Sequence, residues 1–99
     1  MHAIETRLET ANAGRYLTQL CKHWSHRFSV TYTAENGRVP FSETTECLLT
    51  ADAEGLTVRI NATEPDDTTR LGNVVIEHLQ RFAFREPLAA PVWRALTAS

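Results

Sequence analysis

Four histidines and a few arginines are the side chains in this 99-residue sequence whose type and spacing could support chemistry. His23 and His26 lie three apart, so a helix carrying both turns them to one side. His78, Arg81 and Arg85 follow one another at three- and four-residue steps, again a helical spacing. Arginine offers a carboxylate or phosphate a bidentate fork, and imidazole can donate, accept or titrate near neutral pH. His23, His26, Arg27, His78, Arg81 and Arg85 together would therefore suit an anionic small molecule bearing a carboxylate, phosphate or haem-propionate group. The plainer alternative is structural: a core-facing histidine must find a hydrogen-bond partner, and His78 would then only tie its helix to the sheet or tail. A third reading makes His78 the acid/base group of a small enzyme.

Several chemistries are not expected. The sequence has no glycine-rich phosphate loop, no nucleophile elbow and no His-Glu-x-x-His pair. Its single lysine, Lys22, falls on a helix face turned to solvent, unsuited to a Schiff base that needs a desolvated amine. No catalytic residue is assigned. Cys21, His23 and His26 lack zinc-finger spacing, and Cys21 and His23 fall on opposite sides of a helix. His23 with His26 would need a distant His78 or His2 to complete a metal site, so neither metal nor cofactor is expected. With two cysteines only, Cys21 and Cys47 read as small buried hydrophobes in a reduced, cytoplasmic protein. The first residues lack the basic and apolar regions of a signal peptide, and no apolar run reaches the length of a membrane span.

The elements that must position these side chains follow from periodicity. Ile4, Thr6 and Leu8 alternate with Glu5, Arg7 and Glu9, a half-buried first strand. Asn12 is placed to cap a helix whose stripe is Ala13, Tyr16, Leu17, Leu20 and Trp24, ending near Arg27. A second strand is expected over Phe28–Thr33. Asn36-Gly37 then predicts a tight hairpin turn, because both residues tolerate positive φ. A third strand from Arg38 to Ser42 carries Pro40 and must be an edge or bulged there. Cys47, Leu49 and Ala51 mark the fourth strand, and Leu56, Val58, Ile60 and Ala62 the fifth. Pro65-Asp66-Asp67 opens a second helix that runs to about Arg85, its core face set by Leu71, Val75, Leu79 and Phe82 with His78 among them.

The expected fold is α+β in the order β-α-β-β-β-β-α. It is an antiparallel five-stranded sheet with two helices on one face, of the TBP-like or helix-grip type, in a single domain over residues 1–99. The tail, residues 86–99, is expected to pack on the domain edge. Net charge is −2, and it is uneven: the helical segments are basic and the strand region acidic. The outward strand residues set four acids (Glu5, Glu9, Glu46, Asp52) against Arg7, Arg38 and Arg59, with no basic stripe and few aromatics. Nucleic acid is thereby excluded as an expected partner.

Two segments, Arg15-Tyr16-Leu17-Thr18-Gln19-Leu20-Cys21-Lys22-His23-Trp24 with His26, and His78-Leu79-Gln80-Arg81-Phe82-Ala83-Phe84-Arg85-Glu86, resemble a bacterial family called domain of unknown function 2218. Trp93 is similar to that family's C-terminal tryptophan. Ser42-Glu43-Thr44-Thr45-Glu46-Cys47 departs from it, lacking the glycine expected shortly before the cysteine. The resemblance implies a small bacterial protein. Because a similar segment is fused in some relatives to siderophore-interacting flavin reductases, it also implies a link to iron handling and a flavin-reductase-like partner. An aldolase activity ascribed to some relatives finds no support in a chain with one exposed lysine. By matching, the residues to watch are His23, His26, His78, Arg81 and Arg85. The function expected is a non-catalytic binding or accessory domain; the alternative is an interaction module, with Phe84 and the apolar tail forming a homodimer contact.

Overall fold

The computed structural model describes residues 2–86 and 88–96. Along the chain run β1 (His2–Glu9), α1 (Ala13–Trp24), β2 (Thr31–Tyr32), β3 (Asn36–Pro40), β4 (Thr45–Ala51), β5 (Gly55–Ala62), α2 (Pro65–Phe82) and β6 (Arg94–Leu96). The strands form one antiparallel sheet in the order β2-β3-β4-β5-β1-β6. Ile4 pairs with Ile60, Thr6 with Val58 and Leu8 with Leu56, so β1 and β5 turn the same alternate residues inward. Both helices cover that inward face, α1 on β3, β4 and β5, and α2 on β5 and β1.

Between the layers lie Leu17, Leu20 and Cys21 from α1, Val39, Cys47, Leu49, Val58 and Ile60 from the strands, and Val75 and Leu79 from α2, none more than 1% exposed. Each such aliphatic side chain contributes roughly 1.5–3 kcal/mol on burial. That sum, more than capping, holds α1 in place. Asn12 occupies its N-cap position but makes no side-chain cap bond, a loss of about 1 kcal/mol at most helices. In α2 the expected signals act together: Pro65 starts the helix, Asp66 and Asp67 sit in its first turn, and Arg81 in its last. Both cysteines are free and buried, as their reading as small hydrophobes requires. Burial pushes the Cys21 thiol up to about 11 and raises that of Cys47 further.

Four expectations need correction. The sheet has six strands, because the tail adds β6 along the free edge of β1, Ala3 opposite Leu96 and Glu5 opposite Arg94. Three residues are too few for alternation to reveal. Asn36-Gly37 is not the turn: both residues belong to β3, and no described residue has positive φ. The reversal comes earlier, where the Thr33 hydroxyl accepts from the backbone N–H groups of Glu35 and Asn36. β2 is only Thr31–Tyr32, since Phe28 turns to stack edge-on against Phe41, ring centres 5.1 Å apart, instead of pairing. Finally, α2 ends at Phe82, short of Arg85.

Pro40 is reconciled with an inner strand by the brevity of β2, which pairs only with Gly37 and Arg38 and leaves Pro40 beyond its reach. The loop before Cys47 closes without a glycine: the Ser42 hydroxyl accepts from the Thr44 N–H at 3.1 Å and shares a 2.8 Å hydrogen bond with the Thr45 hydroxyl.

The tail is held at two points. Thr6 Oγ1 donates to the Val92 carbonyl at 3.0 Å, and Trp93 lies against Gly72 of α2, where a Cβ would meet the indole at 3.1 Å. A Gly72→Val substitution is therefore expected to displace Trp93 and free β6. Amide exchange at Arg94, Ala95 and Leu96 should accelerate while β4 and β5 stay protected; unchanged protection at β6 would show that Trp93 is not its anchor.

Candidate functional site

The sequence-expected histidines and arginines converge only in part. His23, in the last turn of α1, lies beside His78 of α2 with ring centres 5.2 Å apart and planes inclined at 47°. Trp24 backs the pair: its ring centre is 5.0 Å from that of His78, and Phe41 packs edge-on beneath it at 5.0 Å. Phe82 closes the other flank, 6.1 Å from His23 in an edge arrangement. Trp24 is 5% exposed, His78 half-buried and His23 exposed, so an aromatic seam rises from the core and ends in two imidazoles at the surface.

His78 Nδ1 lies 2.8 Å from the Val74 carbonyl, one turn earlier in the same helix. A carbonyl can only accept, so Nδ1 carries a proton. In the neutral ring Nε2 is then the nitrogen with a free lone pair. Its tautomer is fixed by the helix backbone, before any ligand arrives.

The remaining candidates are all exposed. Arg81 follows His78 by three residues on α2 and is exposed; His26 and Arg27 are exposed in the turn that leaves α1. Arg85 does not join them. Beyond the end of α2 it leaves the helical wheel, is exposed, and sets its guanidinium over the Phe84 ring, 5.3 Å from the centroid. The expectation that α2 carries Arg85 in helical register with His78 and Arg81 is thus corrected. Among the described residues the ion pairs involve other arginines: Arg7 with Asp52, Arg38 with Glu46, Arg70 with Asp67 and Arg94 with Glu5.

Two features escaped the sequence reading. Gln19, one turn before His23, is half-buried, and its Oε1 is buried with no hydrogen-bond partner among the described residues. Glu86 gathers three donors on one carboxylate: Tyr16 Oη at 2.6 Å, Thr10 Oγ1 at 2.8 Å and Asn12 Nδ2 at 3.0 Å. Asn12 thus spends its side chain on Glu86 instead of capping α1. No periodic pattern could flag Glu86, which follows the helix.

The Tyr16 hydroxyl, then Asn12 and Thr10, hold the Glu86 carboxyl below its ordinary value of 4.5, and the same bond raises the Tyr16 hydroxyl. A depressed carboxyl contributes stability that is present above pH 4.5 and lost as pH falls through the lower folded value. Glu86→Gln should therefore lower the melting temperature at neutral pH, with wild-type and variant curves converging in acid. Parallel curves across that range would remove the clamp.

An antiparallel sheet bearing two helices on one face, with an imidazole pair at its surface, defines a small α+β domain. Residues 5–94 match the family described as uncharacterized protein conserved in bacteria, DUF2218, and the chain belongs to that family. The NMR structure of PA4090 from Pseudomonas aeruginosa is similar to it throughout: 35% identity, 95% of this chain and 96% of that one covered, and a TM-score of 0.81. No curated protein matches. No helix among the described residues is long and apolar enough to cross a membrane.

Proposed function

We propose that the chain is a non-catalytic binding or accessory domain that accepts an anionic small molecule at the His23–His78 surface. Arg81, Arg27 and His26 would border the ligand, while Arg85, set over Phe84 beyond the end of α2, would lie outside it. The observation that carries this reading is the fixed tautomer of His78 beside a second imidazole, at the end of an aromatic seam. The seam spends buried surface on presenting two polar rings. Packing alone would be served by Leu or Val at position 78.

The chemistry has a consequence. Neutral His78 offers an anion only the Nε2 lone pair, which repels it; protonated His78 offers Nε2–H while Nδ1–H stays on Val74. Anion binding is therefore coupled to proton uptake and tightens as pH falls. His23 is the titratable group packed against His78, while Glu77 and Arg81 flank it along α2.

The finer proposal, drawn from family resemblance, places the domain in cytoplasmic iron or siderophore handling, beside a flavin-reductase-like protein. Calorimetry with citrate and with inorganic phosphate tests the coarser one. Wild type should bind one of them with heat that depends on the buffer's ionisation enthalpy, the mark of proton uptake. Equal affinity in wild type and in a His23→Ala variant would reject the site.

A further inference from the structure

We propose that His23 and His78 form a coordinatively open site for a divalent transition-metal ion, the two imidazoles supplying adjacent ligands and water or a bound chelator the rest. The proposal shares its imidazole pair with the anion-binding reading, but needs neither the arginines nor a protonated ring.

Three observations support it. A metal-ligating histidine almost always donates its other ring N–H to a carbonyl or carboxylate, which fixes the ring and makes the free nitrogen more basic. His78 makes that bond through Nδ1 to the Val74 carbonyl at 2.8 Å, leaving Nε2 to ligate. The spacing also fits. With metal–nitrogen bonds of about 2.0–2.1 Å, two imidazoles on one tetrahedral ion place their ring centres roughly 5 Å apart. The observed separation is 5.2 Å. Both rings are braced as well, His78 by Trp24 at 5.0 Å and His23 by Phe82 at 6.1 Å, so less ordering remains to oppose binding.

The sequence expectation of no metal rested on pairing His23 with His26; the fold pairs it with His78 from the other helix. Since no third His, Cys, Asp or Glu joins them among the described residues, the protein provides two ligands and leaves the other positions open. Imidazole donors suit Zn2+, Ni2+ and Cu2+. An open pair also suits a metal already held by a carboxylate chelator with two adjacent positions free. Ni2+–nitrilotriacetate is such a species, and Arg81 is the nearest cation along α2 for its carboxylates.

Untagged protein is titrated with ZnCl2 and, separately, with Ni2+–nitrilotriacetate. Zn2+ is followed by the side-chain nitrogen resonances of the histidines, and both titrations by calorimetry. One equivalent of Zn2+ should shift His23 and His78 together, with affinity rising as pH rises because protons compete for Nε2. His23→Ala, at an exposed position, and His78→Phe, which keeps a ring against Trp24, should each weaken Zn2+ binding about tenfold or more. His2→Ala should leave it unchanged. Absence of a saturable response below about 1 mM Zn2+, an affinity too weak to matter at about −4 kcal/mol, would overturn the site. So would Zn2+ binding that both variants retain. Metal-free citrate separates the two readings, because its affinity moves with pH in the opposite direction. Citrate binding without Zn2+ binding sinks the metal site alone, and Zn2+ binding without citrate binding sinks the anion reading alone.

Discussion

A Gly37→Val variant is expected to melt roughly 10–20 °C below wild type, the equivalent of about 2–3 kcal/mol in a domain of this size. A Cβ at Gly37 would stand 2.8 Å from Cys21 Sγ and 3.4 Å from Leu17 Cδ2. Both side chains are fully buried where α1 lies on β3, so neither sulfur nor methyl has open space to enter. Close approach of helix to strand, not a turn, is why glycine occupies this position. The cause can be isolated. Gly37→Ala should destabilise by itself, and combining it with Cys21→Ala, which removes the offending sulfur, should recover part of the loss. Additive losses in that cycle would show that the sulfur is not the obstacle.

The second large effect is on binding. Replacing His78 with phenylalanine is expected to reduce affinity for a carboxylate or phosphate ligand at least about tenfold, with a loss of about 1.5–3 kcal/mol for a charge-assisted hydrogen bond. Phenylalanine preserves a ring against Trp24 and His23 and removes both nitrogens, so the change reads out chemistry and leaves packing intact. Arg81→Ala should cost less and lose its effect in high salt, because an exposed guanidinium is screened within about 10 Å at 0.1 M. A His78→Phe variant with wild-type affinity would assign binding to the arginines alone.

The strands that alternate over seven or eight residues, β1, β4 and β5, are legible in the sequence, as are α2's proline-and-acid start and the apolar stripe of α1. Each carries a repeated pattern that burial enforces. What was not legible depends on single long-range contacts. β6 exists because Trp93 finds Gly72 and Thr6 finds the Val92 carbonyl. Asn36-Gly37 carries hairpin chemistry, yet Gly37 is required by Cys21, a residue sixteen positions earlier on another element.

The site divides the same way. A helical wheel selects His23 and His78, because periodicity fixes which way each helix faces. It cannot show that Trp24 and Phe41 brace them, or that Val74 fixes the tautomer of His78. It misplaces Arg85 because it extends α2 past Phe82, where the helix has already ended. Glu86 stays invisible since its three partners come from the β1–α1 connection and the first turn of α1, 70 to 76 residues away.

The most direct measurement is a titration of nitrogen-labelled, metal-free protein with citrate, read at the imidazole nitrogens. The neutral free ring of His78 should carry its proton on Nδ1, against the Val74 carbonyl. On titration His23 and His78 should move together with one dissociation constant, His78 gaining a proton at Nε2 while His2 stays still. A neutral free ring with its proton on Nε2, or shifts that His2 shares equally, would contradict a ligand seated on the His23–His78 pair.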